Sequence, residues 1–157
     1  MRIDIKEAEK FRYLVLAVQR QGNRLLKSYF KEIGVTPSQA EVITILKDTP
    51  FITLKQLGAL LICEEGSPSR LVERMVKDQL IERIKDKKDS RFVRLTLTPL
   101  GNEKYSVILK AENEMYNMLH HVYTQEELQQ SNQMLSKLLK DTPFEQKLEE
   151  RDFSLKG

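Results

Sequence analysis

A single cysteine, Cys63, stands among 157 residues, so no internal disulfide forms and the chain suits a reducing cytosol. No stretch approaches the apolar length that spans a bilayer, although hydrophobic residues make up 40%. The opening Met1-Arg2-Ile3-Asp4-Ile5-Lys6-Glu7 has no apolar export segment, and a cytoplasmic location is expected. No glycine-rich phosphate loop follows a strand, no His/Cys cluster has metal-ligand spacing, and Ser67 has no nearby histidine to activate it. Enzyme activity, a metal site and a cofactor are therefore not expected. His120 and His121 are adjacent, so on a helix they diverge by about 100° and do not chelate one ion; they belong to a surface or an interface. Excess charge is scarce too: 26 Lys plus Arg against 23 Asp plus Glu leave a net +3. That balance alone does not announce a nucleic-acid partner, and only local clustering can. Internal repeats and low-complexity tracts are absent.

What is present is helical periodicity with repeated start signals. The length allows one cooperative core, or a small module with a helical appendage. Residues 5–33 predict one long helix, with Phe11, Leu14, Val15, Val18, Leu25, Leu26, Tyr29 and Ile33 at threes and fours and Gly34 as its stop. Thr36-Pro37-Ser38-Gln39 starts a second helix, which ends before Pro50. Ile52 serves either as a hydrophobic staple or, with Phe51, as a strand added to a later hairpin. Thr98-Pro99 opens a helix to about Tyr123, and Thr124-Gln125-Glu126-Glu127 is a further capping box, opening a helix that closes at Pro143. The segment from Phe144 onward is charged, and extends a helix or frays.

The informative block is 53–98. Thr53-Leu54-Lys55-Gln56 is a capping box that opens a short helix, and four turn residues later Ser67-Pro68 starts another, with Ser67 as its cap. This second helix turns Leu71, Val72, Met75 and Val76 inward, leaving Ser69, Arg70, Glu73, Arg74 and Lys77 outward. Ile81–Lys85, a charged tip, and Arg91–Thr98 then form a strand, a turn and a returning strand. Such parts place a helix in a major groove and a hairpin beside it. Arg70 and Arg74 share a face, with Lys77 one turn on, and arginine addresses guanine bidentately where lysine does not. Ser67 and Ser69 lie in the first turn, where hydroxyls and helix N–H groups meet phosphate or base edges. In the tip, Asp89 and Arg91 are two apart, so the carboxylate can brace the guanidinium toward a narrow minor groove. Lys87 and Lys88 are candidate phosphate contacts. Glu64 and Glu65 place negative charge before the helix, favouring its dipole but repelling phosphate if turned to the duplex.

From Thr53 to Gly101 the chain resembles the MarR family of bacterial winged-helix transcriptional regulators. The resemblance rests on Asp86-Lys87-Lys88-Asp89-Ser90-Arg91-Phe92-Val93-Arg94-Leu95-Thr96-Leu97-Thr98-Pro99-Leu100-Gly101, an aspartate and arginine at wing spacing running into Leu-Thr-x-x-Gly. The helix order over residues 7–142 fits the family's full domain. The resemblance implies a mainly α fold, with a winged-helix module at 36–98 flanked by dimerisation helices 5–33 and 99–142, and a charged tail at 143–157. It also implies a minor-groove role for Arg91, support by Asp89, and a major-groove role for Ser67–Lys77 on a pseudo-palindromic duplex. Two positions depart from the family: Ser90 stands where a second arginine is common, and Gln79 where glycine is usual. Gln79 is expected either to take a left-handed conformation at a cost or to alter the helix exit.

Members of that family often bind small amphipathic compounds between the dimer helices and the DNA-binding module. Tyr13, Tyr29, Tyr105 and Tyr116 are the candidates to line such a cleft here, against the plainer reading as core and interface residues. Cys63 reads as a small buried residue, with a redox-responsive regulator as the alternative. The expected function is a homodimeric, duplex-DNA-binding repressor released by a ligand, the sign of control resting on family tendency. Its rival is a winged-helix module for protein–protein interaction, which salt-dependent duplex binding separates from it.

Overall fold

Threonine and proline punctuate the folded chain much as they punctuate its sequence. The computed structural model describes residues 4–64 and 66–156; Met1–Ile3, Glu65 and Gly157 lie outside the described residues. Helix α1 spans Lys6–Lys31 and stops at Gly34, whose φ of 83° lets the N–H groups of Gly34 and Val35 turn back to the Phe30 carbonyl. Helix α2, Pro37–Asp48, begins with a complete capping box between Thr36 and Gln39. Strand β1, Ile52–Thr53, is followed at once by α3, Leu54–Leu60, with a second complete box between Thr53 and Gln56. Helix α4, Pro68–Lys77, strands β2, Ile81–Lys85, and β3, Val93–Leu97, and helix α5, Pro99–Val122, complete the winged module and its exit.

The sheet is antiparallel in the order β1-β3-β2, with Ile52 opposite Leu95 and Ile81 opposite Leu97. Ile52 therefore acts as a strand residue. Helix α6, Gln125–Leu139, opens with Thr124 accepting from the Glu127 N–H. The expected reciprocal half of that box is replaced: the Glu127 carboxylate takes the Thr124 hydroxyl, not its N–H.

The charged tail expected from 143 onward contains a helix, α7, Pro143–Glu150, packed against α3. Pro143 ends nothing by itself, because α6 already stops at Leu139 and Asp141 turns with φ of 63°. The pair Thr142-Pro143 repeats the proline-at-first-turn start seen at α2, α4 and α5.

Core residues run from Phe30 to Ile108 among the described residues, and the fully enclosed Ile43, Leu57, Met75, Ile81, Leu95 and Ile108 come from α2, α3, α4, the sheet and α5. By contrast, Leu14, Val15 and Val18 on α1, Leu119 and Val122 on α5, and Leu135 and Leu138 on α6 remain exposed in the single chain. The apolar content thus divides into a closed module and an open helical flank.

Candidate nucleic-acid interface

Helix α4 separates its two faces cleanly. Leu71, Val72 and Met75 are buried, which anchors the helix, while Ser69, Arg70, Glu73, Arg74 and Lys77 are all exposed. Ser67 occupies the N-cap backbone position, but its hydroxyl does not cap the helix as the sequence suggested. It instead lies 2.9 Å from the Ser69 hydroxyl, which competes for the same oxygen. Both hydroxyls therefore sit exposed at the positive end of the helix dipole, an arrangement suited to an anionic oxygen. Glu64 folds into its own turn, its Oε1 accepting the Gly66 N–H at 2.7 Å.

The exit of α4 is fixed by a junction that sequence reasoning saw only as a helix start. Gln79 takes φ of 62°, the left-handed alternative, and turns the chain into β2. The Thr98 hydroxyl donates to the carbonyls of Gln79 and Leu80 and accepts the Gly101 N–H at 3.0 Å. One side chain thereby ties the end of α4, the base of the hairpin and the start of α5. Gly101 allows that closeness, since a Cβ there would lie 2.2 Å from the Leu80 carbonyl oxygen.

At the hairpin tip two aspartates do different work. Asp86 organises the turn: its Oδ1 accepts the N–H groups of Lys88 and Asp89 at 2.7 and 3.2 Å. Its Oδ2 takes Arg94 Nε, and Arg94 reaches on to the Phe51 carbonyl at 3.1 Å, tying the tip to the residue before β1. Asp89 instead holds Arg91, with Oδ1 accepting the backbone N–H and Nε and Oδ2 accepting Nη2 at 2.7 Å. Hydrogen bonds from Arg94 and then from the turn hold the Asp86 carboxyl below the usual carboxylate range. Those from Arg91 do the same for Asp89. Lys87 and Lys88 are exposed beside them. Arg94 escaped sequence reasoning because its partner lies eight residues away across the tip; the strand register was the available signal.

Comparison with known proteins places this geometry. A family model described as a winged helix DNA-binding domain matches residues 35–101. The uncharacterized HTH-type transcriptional regulator YsmB of Bacillus subtilis is 26% identical over 135 residues, 85% of this chain and 90% of that protein. The multiple antibiotic resistance protein MarR of Salmonella typhimurium is 30% identical over 88 residues, 56% of this chain and 61% of that protein. A mutant MarR from E. coli, solved in complex with operator DNA, superposes with a TM-score of 0.75 at 23% identity, covering 88% of this chain and 99% of that one, which is a likeness of fold. The chain carries a winged helix DNA-binding domain over residues 35–101 and shares the fold of MarR.

In this winged-helix chain the four tyrosines proposed for an effector cleft are not gathered. Tyr29 lines an open groove of about 480 Å³ between α1 and α5, whose walls are apolar at Ile33, Leu100, Val107 and Ala111 and charged at Glu32, Glu103, Lys104, Lys110 and Glu114. Tyr105 packs against the core below Lys47, while Tyr13 and Tyr116 are exposed and line no cavity with Tyr29 among the described residues. Helix geometry explains the separation, since sixteen residues of α1 put roughly 24 Å between Tyr13 and Tyr29.

Cys63 also departs from expectation: it is exposed, not buried. The protein packed around its sulfur and then the Glu41 carboxylate push its thiol up to about 11, away from the reactive thiolate. His120 and His121 lie exposed in the last turn of α5, and no group of metal-ligating side chains occurs among the described residues. No helix of the described residues is long and apolar enough to cross a membrane.

Proposed function

We propose that this chain is a cytoplasmic, homodimeric regulator that binds a pseudo-palindromic duplex and represses transcription until a small amphipathic effector releases it. The observation that carries the proposal is the wing: Arg91 keeps 85% of its side chain in solvent while Asp89 fixes its direction. An exposed, braced guanidinium following a helix whose outer face bears Arg70, Arg74 and Lys77 fits minor-groove insertion beside major-groove contact. The operator complex of the MarR relative supports the same assignment. Dimerisation is supported by the open apolar flank of α1, α5 and α6, which a second copy would cover. Two-fold pairing would set the recognition helices about 34–36 Å apart, one turn of the duplex. The groove between α1 and α5 supports the effector.

Selection from a random duplex library, repeated at two salt concentrations, tests the reading. An enriched inverted repeat with half-sites about one turn apart is the expected result, with sedimentation showing a dimer. Salt-sensitive binding without enrichment would reduce the protein to a nonspecific binder, and no binding would favour a protein-interaction module.

A further inference from the structure

The turn that leads into α4 is held from the far end of the chain. Glu41 on α2 is 8% exposed, one of two buried polar residues among those described. Its Oε1 accepts the N–H groups of Ile62 and Cys63, each at 2.9 Å, and its Oε2 pairs with Arg151 Nη1 at 2.6 Å. Lys147, one turn earlier on α7, donates to the carbonyls of Gly58 and Leu61, each at 2.9 Å. Four backbone groups at the end of α3 and in the turn after it are thus satisfied by side chains, with the C-terminal segment supplying both cations. A carboxylate this enclosed is stable only when paired, so the geometry of Ile62 and Cys63 depends on Arg151 staying in place. Glu112 of α5 completes the setting, its carboxyl raised by burial and opposed by the same arginine. Phe153 lies over the Arg151 guanidinium and its N–H returns to the Leu148 carbonyl, which closes the segment.

We propose that Arg151 and Lys147 are positioning residues for DNA recognition. The C-terminal segment clasps the α3–α4 turn and so sets where α4 presents Arg70 and Arg74. This rests on the DNA-binding reading above. Because α7 follows α6, the clasp joins the open helical flank to the recognition helix, giving movement of that flank a route to the DNA-contacting face.

The test uses full-length Arg151→Met, Arg151→Lys, Lys147→Met and the double variant Glu41→Gln/Arg151→Met, each checked for an unchanged helical spectrum. Affinity for the selected duplex and for a scrambled one is measured with amide exchange at Ile62 and Cys63. Arg151→Met and Lys147→Met are expected to lose about tenfold in preference for the selected duplex, with low-salt binding to the scrambled one retained. Arg151→Lys recovers part of the preference, and amide exchange at Ile62 and Cys63 accelerates in Arg151→Met. The double variant removes both charges yet does not regain the preference, because the clasp is still missing. Full recovery there would reduce Arg151 to a neutraliser of buried charge and overturn the proposal, as would unchanged preference with unchanged exchange. Should Arg151→Met fail to fold, Lys147→Met, which keeps the buried pair, decides the matter. If the wild type prefers no duplex, the DNA reading falls, and exchange at Ile62 and Cys63 still shows whether the clasp holds the turn.

Discussion

Asp89 receives three donors of Arg91, the backbone N–H, Nε and Nη2, while the arginine side chain stays almost wholly in solvent. The pair therefore organises the wing surface and contributes nothing to the core. Arg91→Ala is expected to weaken duplex binding with an unchanged thermal midpoint; intact affinity would remove Arg91 from the interface. Both wing carboxyls, Asp86 and Asp89, lie below their ordinary range. A depressed carboxyl lends its stabilisation above the unfolded pKa of about 3.9 and loses it as pH falls through the lower folded value. The wing should accordingly hold its form between about pH 5 and 8, and binding titrated across that window should show no transition from these groups.

Arg70 and Arg74 project from the exposed face of α4, whereas Lys87 sits at the hairpin tip. Alanine at either arginine is expected to change which duplex sequences are preferred. Lys87→Ala should instead weaken all sequences alike and lower the salt slope by about one. Equal, sequence-blind losses in all three variants would make α4 a phosphate contact.

Gln79 and Gly101 sit on opposite sides of the Leu80 junction with opposite steric demands. Gln79 occupies a left-handed conformation, so Gln79→Gly is expected to stabilise the fold by about 0.5–1 kcal/mol. Gly101→Ala would press a methyl group onto the Leu80 carbonyl, and a loss of about 2–3 kcal/mol is expected. Urea unfolding of both variants checks the signs; a harmless Gly101→Ala would remove the close approach to Leu80 as the reason for glycine at this position.

Cys63 has its thiol pushed up to about 11 from 9.0. At neutral pH its alkylation by iodoacetamide should run about a hundredfold slower than that of a free cysteine, since the thiolate is the nucleophile. Rapid alkylation would restore the redox alternative.

The elements legible in the sequence are those whose hydrogen bonds close within a few residues. Thr36 with Gln39, Thr53 with Gln56, and Asp89 with Arg91 are neighbours on one turn, so helix and hairpin geometry brings them together wherever the module packs. The alternation of buried Leu71, Val72 and Met75 with exposed Arg70 and Arg74 follows from helical period in the same way. Even locally, a competing partner was decisive: Ser69 took the Ser67 hydroxyl that was expected to cap. Tertiary structure alone decided the rest. Arg94 meets the Phe51 carbonyl, Thr98 meets Gln79 and Leu80, and Arg151 meets Glu41 across 110 residues, because packing selects partners that no short spacing encodes. The same physics turned a charged C-terminal stretch into a docked helix: one lysine found the free carbonyls at the end of α3, and one arginine found a carboxylate that burial left in need of a partner.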